Sequence, residues 1–127
     1  MQNYQSISRK TGDIGERAAA DFLVRNGYKI LDRNYTVRGG EIDIIAQKDE
    51  TIAFVEVKTR KEDPLSEGEE AITPVKKKRL IATAERYYIE VLKCRGNCRF
   101  DVCVVTVSDR LVKHLKYYVN AFDGSKQ

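Results

Sequence analysis

The sequence predicts an α/β domain: a central mixed sheet of about five strands flanked by helices. Three observations carry that prediction. The hydrophobic period changes along the chain in the order helix, strand, strand, strand, helix, strand, strand. The 127 residues, 42% of them hydrophobic, suffice for one core and hence one domain spanning 1–127. The stretch from Gly40 to Arg60, GEIDIIAQKDETIAFVEVKTR, reads as two strands yet places acidic side chains where a sheet normally wants apolar ones. Such conflicts between pattern and chemistry gather at functional sites.

Residues 1–10 are polar, with Arg9 and Lys10, and are expected to form a loose arm. From Thr11 to Asn26, Ile14, Ala18, Ala19, Phe22 and Leu23 recur at helical spacing, and Gly27 follows as a stop. On this first helix Glu16 falls beside Leu23, at the edge of the apolar arc. A first strand is expected over Tyr28–Tyr35, although its alternation is imperfect, and Arg38, Gly39 and Gly40 turn the chain. In the second strand Glu41, Asp43 and Ile45 should share one face, leaving Ile42, Ile44 and Ala46 as an apolar other face.

The polar Lys48, Asp49 and Glu50 suggest a hairpin into a third strand over Thr51–Thr59. There Ala53, Val55 and Val57 face one way, and Ile52, Phe54, Glu56 and Lys58 the other. Lys61–Glu70 reads as a surface loop. A second helix should begin at Thr73, a good N-cap, with Pro74 in its first turn, and run to about Lys93. Its basic start, Lys76, Lys77, Lys78 and Arg79, opposes the helix dipole, and a bound anion would relieve that. Arg99–Val107 is rich in strand formers. Leu111–Val119 reads as an edge strand guarded by Lys113 and Lys116, and 121–127 as a frayed tail.

Composition narrows the function. A net charge of +4 with 33% charged residues mildly favours a polyanionic partner. No apolar run approaches the roughly 20 residues of a membrane span, and MQNYQSISRK has no signal-peptide core, so a cytoplasmic protein without membrane contact is expected. The odd count of three cysteines argues for reduced thiols. Cys94, Cys98, Cys103 and His114 lack the paired spacing of structural zinc sites.

The central stretch carries the chemistry. Asp43 and Glu56 come from adjacent strands, so their carboxylates can converge on one hard cation that retains water, Mg²⁺ or Mn²⁺. Lys58 stands beside them and could orient water or stabilise charge on a phosphate. Three charges alone could equally be a partly buried structural ion pair. Glu41, at the strand start, is more peripheral. The run Lys76–Arg79 could be a solvated helix face, or contact a nucleic-acid backbone together with Thr59 and Arg60. Asp101, interrupting an apolar strand, reads as a structural salt bridge.

The motifs GEIDIIA and FVEVKTR resemble those of the PD-(D/E)XK nuclease superfamily, with Asp43, Glu56 and Lys58 at the motif positions and Ile42 in place of the proline. The closer resemblance is to the YraN family of bacterial proteins, through GERAAADFLVRNGYKIL, the two motif strands, the lysine-rich second helix and RFDVCVV. That resemblance implies a restriction-endonuclease-like fold. Archaeal Holliday junction resolvases look like more distant relatives, and by that likeness Glu16 joins Asp43 and Glu56 as a metal and catalytic residue, in a homodimer. The expected function is metal-dependent hydrolysis of DNA phosphodiesters, branched or non-canonical DNA included, with Arg60, Lys76, Lys77, Lys78 and Arg79 on the nucleic acid. The alternative is a nucleic-acid-binding module that keeps the fold without turnover.

Overall fold

The computed structural model describes residues 4–62 and 72–123, with side chains from residue 11 onward. The elements run α1 (Tyr4–Arg25), β1 (Lys29–Val37), β2 (Gly40–Lys48), β3 (Thr51–Lys61), α2 (Pro74–Glu90), β4 (Asn97–Ser108) and β5 (Leu111–Phe122). The five strands form one sheet in the order β1-β2-β3-β4-β5. β1, β2 and β3 are an antiparallel meander, α2 carries the chain over so that β4 lies parallel to β3, and β5 returns antiparallel as an edge. This is the α/β, restriction-endonuclease-like arrangement expected from the sequence.

Each sheet face buries one helix. Ala19, Ala20 and Leu23 of α1 pack on Ala53, Val55, Cys103 and Val105. On the opposite face Leu80, Ala84 and Tyr87 of α2 pack on Ile52, Phe54, Val102 and Val104. The strict alternation of β3 and β4 makes this possible, because every second residue is committed to one helix. Each fully buried Leu, Ile, Val or Phe contributes about 1.5–3 kcal/mol. The sheet is therefore a stiff platform for whatever its strand ends carry.

Boundaries depart from expectation in explicable ways. α1 already begins at Tyr4, inside the expected arm over 1–10. Extending a nucleated helix costs far less than starting one, and no Gly or Pro interrupts residues 4–10. α2 stops at Glu90, short of Lys93, because Lys93 and Cys94 adopt left-handed backbone with φ of 55° and 61°. Thr73 caps it as expected, its Oγ1 accepting the Lys76 N–H at 3.2 Å. Most of the expected loop over 61–70 lies outside the described residues, as do residues 124–127 of the expected frayed tail over 121–127, whose first two residues instead continue β5 to Phe122.

One correction bears on function. The apolar face expected for Ile42, Ile44 and Ala46 does not form: Ile44 and Ala46 pack on the α1 side, whereas Ile42 packs with Ile45 on the α2 side. Residues two apart in a regular strand share a face, so the strand is irregular at the residue between them. That residue is Asp43.

Candidate active site

The irregularity begins where β2 and β3 part. Their regular pairing ends at Ile44 opposite Val55, and the next residues on each strand are Asp43 and Glu56. Beyond the pairing, Asp43 Oδ2 accepts the Val57 backbone N–H at 2.8 Å, so a side chain takes the place of a ladder carbonyl. A buried donor left unpaired would cost about 1–3 kcal/mol, and the carboxylate removes that cost while fixing its own position. β1 is also irregular here, since Asn34, facing Asp43 between the pairs Arg33↔Ile44 and Tyr35↔Ile42, has a φ of 53°. Asn tolerates the left-handed region better than most residues.

Glu56 is 6% exposed, and a buried carboxylate needs a counter-charge. The structure supplies the Lys76 ammonium, whose Nζ lies 2.5 Å from Glu56 Oε1. Partial burial works against the lysine's charge, but Glu56, with Asp43 and Glu41 further off, raises its pKa above the ordinary value. The Asp43 carboxyl is pushed up to about 7, first by burial and then by the Glu56 charge; the Val57 N–H opposes the rise. Two carboxylates thus share a pocket with too little positive charge to keep both ionised comfortably.

α1 delivers Glu16 to the edge of this pocket. Burial raises its pKa, while Asn34 and Arg33 stabilise the ionised form. The Arg33 guanidinium is 3.9 Å away, and the Glu16 charge is felt by Asp43. What allows this approach is Gly15, buried against β3: a Cβ there would meet Thr59 Oγ1 at 1.8 Å. Gly40 does the same for α2, since a Cβ would lie 2.2 Å from Thr83 Oγ1. Each helix touches the motif strands through a glycine facing a threonine.

Lys58 follows Glu56 by two residues in β3, half-buried and opposite Val104 of β4. Arg60 is half-buried further along the same strand. The basic run of α2 does not form one patch. Lys76 reaches Glu56, Lys77 lies over the Phe122 ring with Nζ 5.6 Å from its centroid, and Lys78 is exposed. Arg79 lines a groove of about 740 Å³ between the β1–β2 turn and the start of α2. Glu41 is exposed beside that groove.

The donor set can be tested against a divalent ion. Among the described residues no three His, Cys, Asp or Glu side chains come close enough to form a metal group, so Glu16 does not complete a cage with Asp43 and Glu56. The two strand carboxylates nevertheless fit a hard cation. Mg²⁺ keeps several waters and is commonly held by one or two carboxylates plus substrate phosphates. Here a side-chain ammonium already stands against one of them. The cysteine and histidine positions are unsuited to zinc: Cys103 is buried within β4 and His114 is exposed on β5.

Asp101 is structural. Fully buried on the α1 side, it accepts two 2.8 Å bonds from the Arg99 guanidinium, one from Tyr117 Oη at 2.6 Å and one from the Asn120 N–H at 2.8 Å. Arg99 also donates to Tyr28 Oη, which joins the end of α1 to β4 and β5. Sequence reading passed over Asn34, Gly15 and the inward turn of Lys76. The signals were an Asn within a strand pattern and a Gly within a helical one.

Residues 15–105 match uncharacterised protein family UPF0102. A UPF0102 protein of Chlorobium phaeobacteroides is 43% identical over 107 residues, covering 84% of each chain. One from Syntrophomonas wolfei is 40% identical over 116 residues, 91% of this chain and 100% of its own. One from Geobacter sulfurreducens is 37% identical over 112 residues, 88% of each. No helix among the described residues is long and apolar enough to cross a membrane.

Proposed function

We propose a nuclease function from one premise: this chain belongs to uncharacterised protein family UPF0102, the YraN family that its motifs resemble. The reading is a divalent-metal-dependent endonuclease of the PD-(D/E)XK type that hydrolyses DNA phosphodiesters. The observation that supports it best is the pair Asp43 and Glu56, held on adjacent strands where the ladder opens, with one lysine ammonium, on Glu56, for the two carboxylates.

Asp43 and Glu56 would hold the ion, and Glu16 would reach it through water. When bound, Mg²⁺ or Mn²⁺ supplies charge neutralisation at the phosphodiester and a more acidic water. The chain's own residues do the rest. Val57 N–H orients the Asp43 carboxylate. Lys58 stands two residues beyond Glu56, on the same side of β3, to hold a phosphate oxygen or the attacking water. Arg60, Lys78 and Arg79 flank the site as backbone contacts, which position a substrate without reading its bases.

Purified protein is expected to cut one or more of duplex, single-stranded and four-way-junction DNA only with Mg²⁺ or Mn²⁺ present. Asp43→Asn, Glu56→Gln and Lys58→Met should each lower the rate by at least about a hundredfold. Equal cleavage by wild type and all three variants would assign the activity to a contaminant and end this reading. A second reading, a binding module without turnover, draws on the absence of a three-acid group among the described residues and on the Lys76 ammonium already paired with Glu56. It predicts salt-sensitive DNA binding that is indifferent to metal and to Glu56→Gln.

A further inference from the structure

Lys76 stands with one end in the acidic site and the other in solvent. Its Nζ touches Glu56, whose side chain is 8% exposed, yet the lysine side chain keeps 49% of its exposure. It also lines the groove of about 740 Å³ beside the site, with Arg79, Thr36 and Thr73 among the other walls. The ammonium is therefore not locked in. A four-carbon stem with an open side can turn from the carboxylate to the groove by changing rotamers alone.

Charge balance gives that freedom a direction. Asp43 and Glu56 bring two negative charges when both are ionised, and Lys76 answers one of them. A divalent cation between the carboxylates answers both and leaves the lysine's positive charge in surplus beside it. Like charges at such range repel strongly in a pocket screened from water. The adjoining groove is open for the displaced ammonium; its wall carries Glu41 and Arg79, so the arriving Lys76 charge tips the balance of its charged side chains to positive.

We infer that Lys76 is an exchangeable counter-ion: it holds Glu56 while the divalent cation is absent, is displaced when the cation enters, and then offers its charge to a phosphate of the DNA strand lying in the groove. This rests on the reading of Asp43 and Glu56 as a metal site. Its consequence is regulatory. Metal alone binds weakly because it must displace the lysine, DNA alone finds the lysine already occupied, and each ligand strengthens the other by the same factor.

The test uses Mn²⁺ alone as probe, by calorimetry on the full chain, comparing wild type, Lys76→Met and, as a distant control, Lys113→Met on β5. Lys76→Met should bind Mn²⁺ about tenfold more tightly than wild type, and Lys113→Met should match wild type. Mg²⁺ should raise wild-type affinity for labelled junction DNA about tenfold and leave that of Lys76→Met nearly unchanged. Should Lys76→Met fail to fold by circular dichroism, wild-type protein carrying ¹⁵N-lysine provides the readout. The Lys76 ammonium resonance, protected by Glu56, should be lost when Mg²⁺ saturates the site.

Mn²⁺ affinity that is unchanged or weaker in folded Lys76→Met, or an ammonium signal that persists at saturating Mg²⁺, overturns the exchange and leaves the metal site standing. No Mn²⁺ binding by any of the three proteins overturns the metal site itself and the exchange with it.

Discussion

Asp43 accepts the Val57 N–H, lies beside Glu56 and is pushed up to about 7, so in metal-free protein it keeps its proton well above the ordinary carboxylate range. The sign of the stability effect follows. The native state holds this proton to higher pH than the unfolded chain, whose Asp titrates near 3.8. Between those values the native state binds more protons, so stability falls as pH rises from about 4 to 7 and stays lowered above. The loss is of the order of a few kcal/mol. Thermal unfolding of metal-free protein should show a melting temperature that declines from about pH 5 to pH 8, and Asp43→Asn should flatten the decline. A wild-type curve that rises over that range would remove the electrostatic strain on which the site reading leans.

Two glycines of α1 separate helix propensity from helix placement. Nothing lies within 4 Å of a Cβ built on Gly12, whereas one on Gly15 would collide with Thr59. Gly12→Ala should therefore stabilise the protein by about 0.5–1 kcal/mol through helix propensity. Gly15→Ala should destabilise it by about 1–3 kcal/mol, the range for overpacking, and move Glu16 away from Asp43. Chemical denaturation of both variants checks the first part, and recovery of stability in Gly15→Ala, Thr59→Ala checks that the threonine is the obstacle. Equal behaviour of the two glycines would mean that α1 is not seated through Gly15. The order of the elements and the start of α2 were legible because β3 and β4 alternate strictly and Thr73-Pro74 is a strong helix start. The face assignment in β2 was not, because a period-two reading assumes unbroken pleating and the strand departs from it at Asp43.

At the scale of the molecule, the proposed site and the main buried ion-pair network are anchored in different places. The acidic pair faces the parting of β2 and β3, whereas Asp101 ties β4, β5 and Tyr28 together within the α1 face. Removing one partner of a buried, multiply bonded ion pair costs about 3–5 kcal/mol. Asp101→Ala should thus lose that much stability in denaturant titrations, with any metal affinity of the remaining folded protein unchanged. A matching loss of Mn²⁺ affinity would mean that the two networks are coupled. By itself the sequence determined the fold class and the order of elements, and it singled out Asp43, Glu56 and Lys58 as candidates, because local periodicity and motif spacing are written along the chain. Only the tertiary structure decided which carboxylate is buried, that Lys76 and not a free basic face answers it, and that Gly15 admits Glu16. Those facts depend on distances between residues remote in sequence, which packing sets and spacing does not.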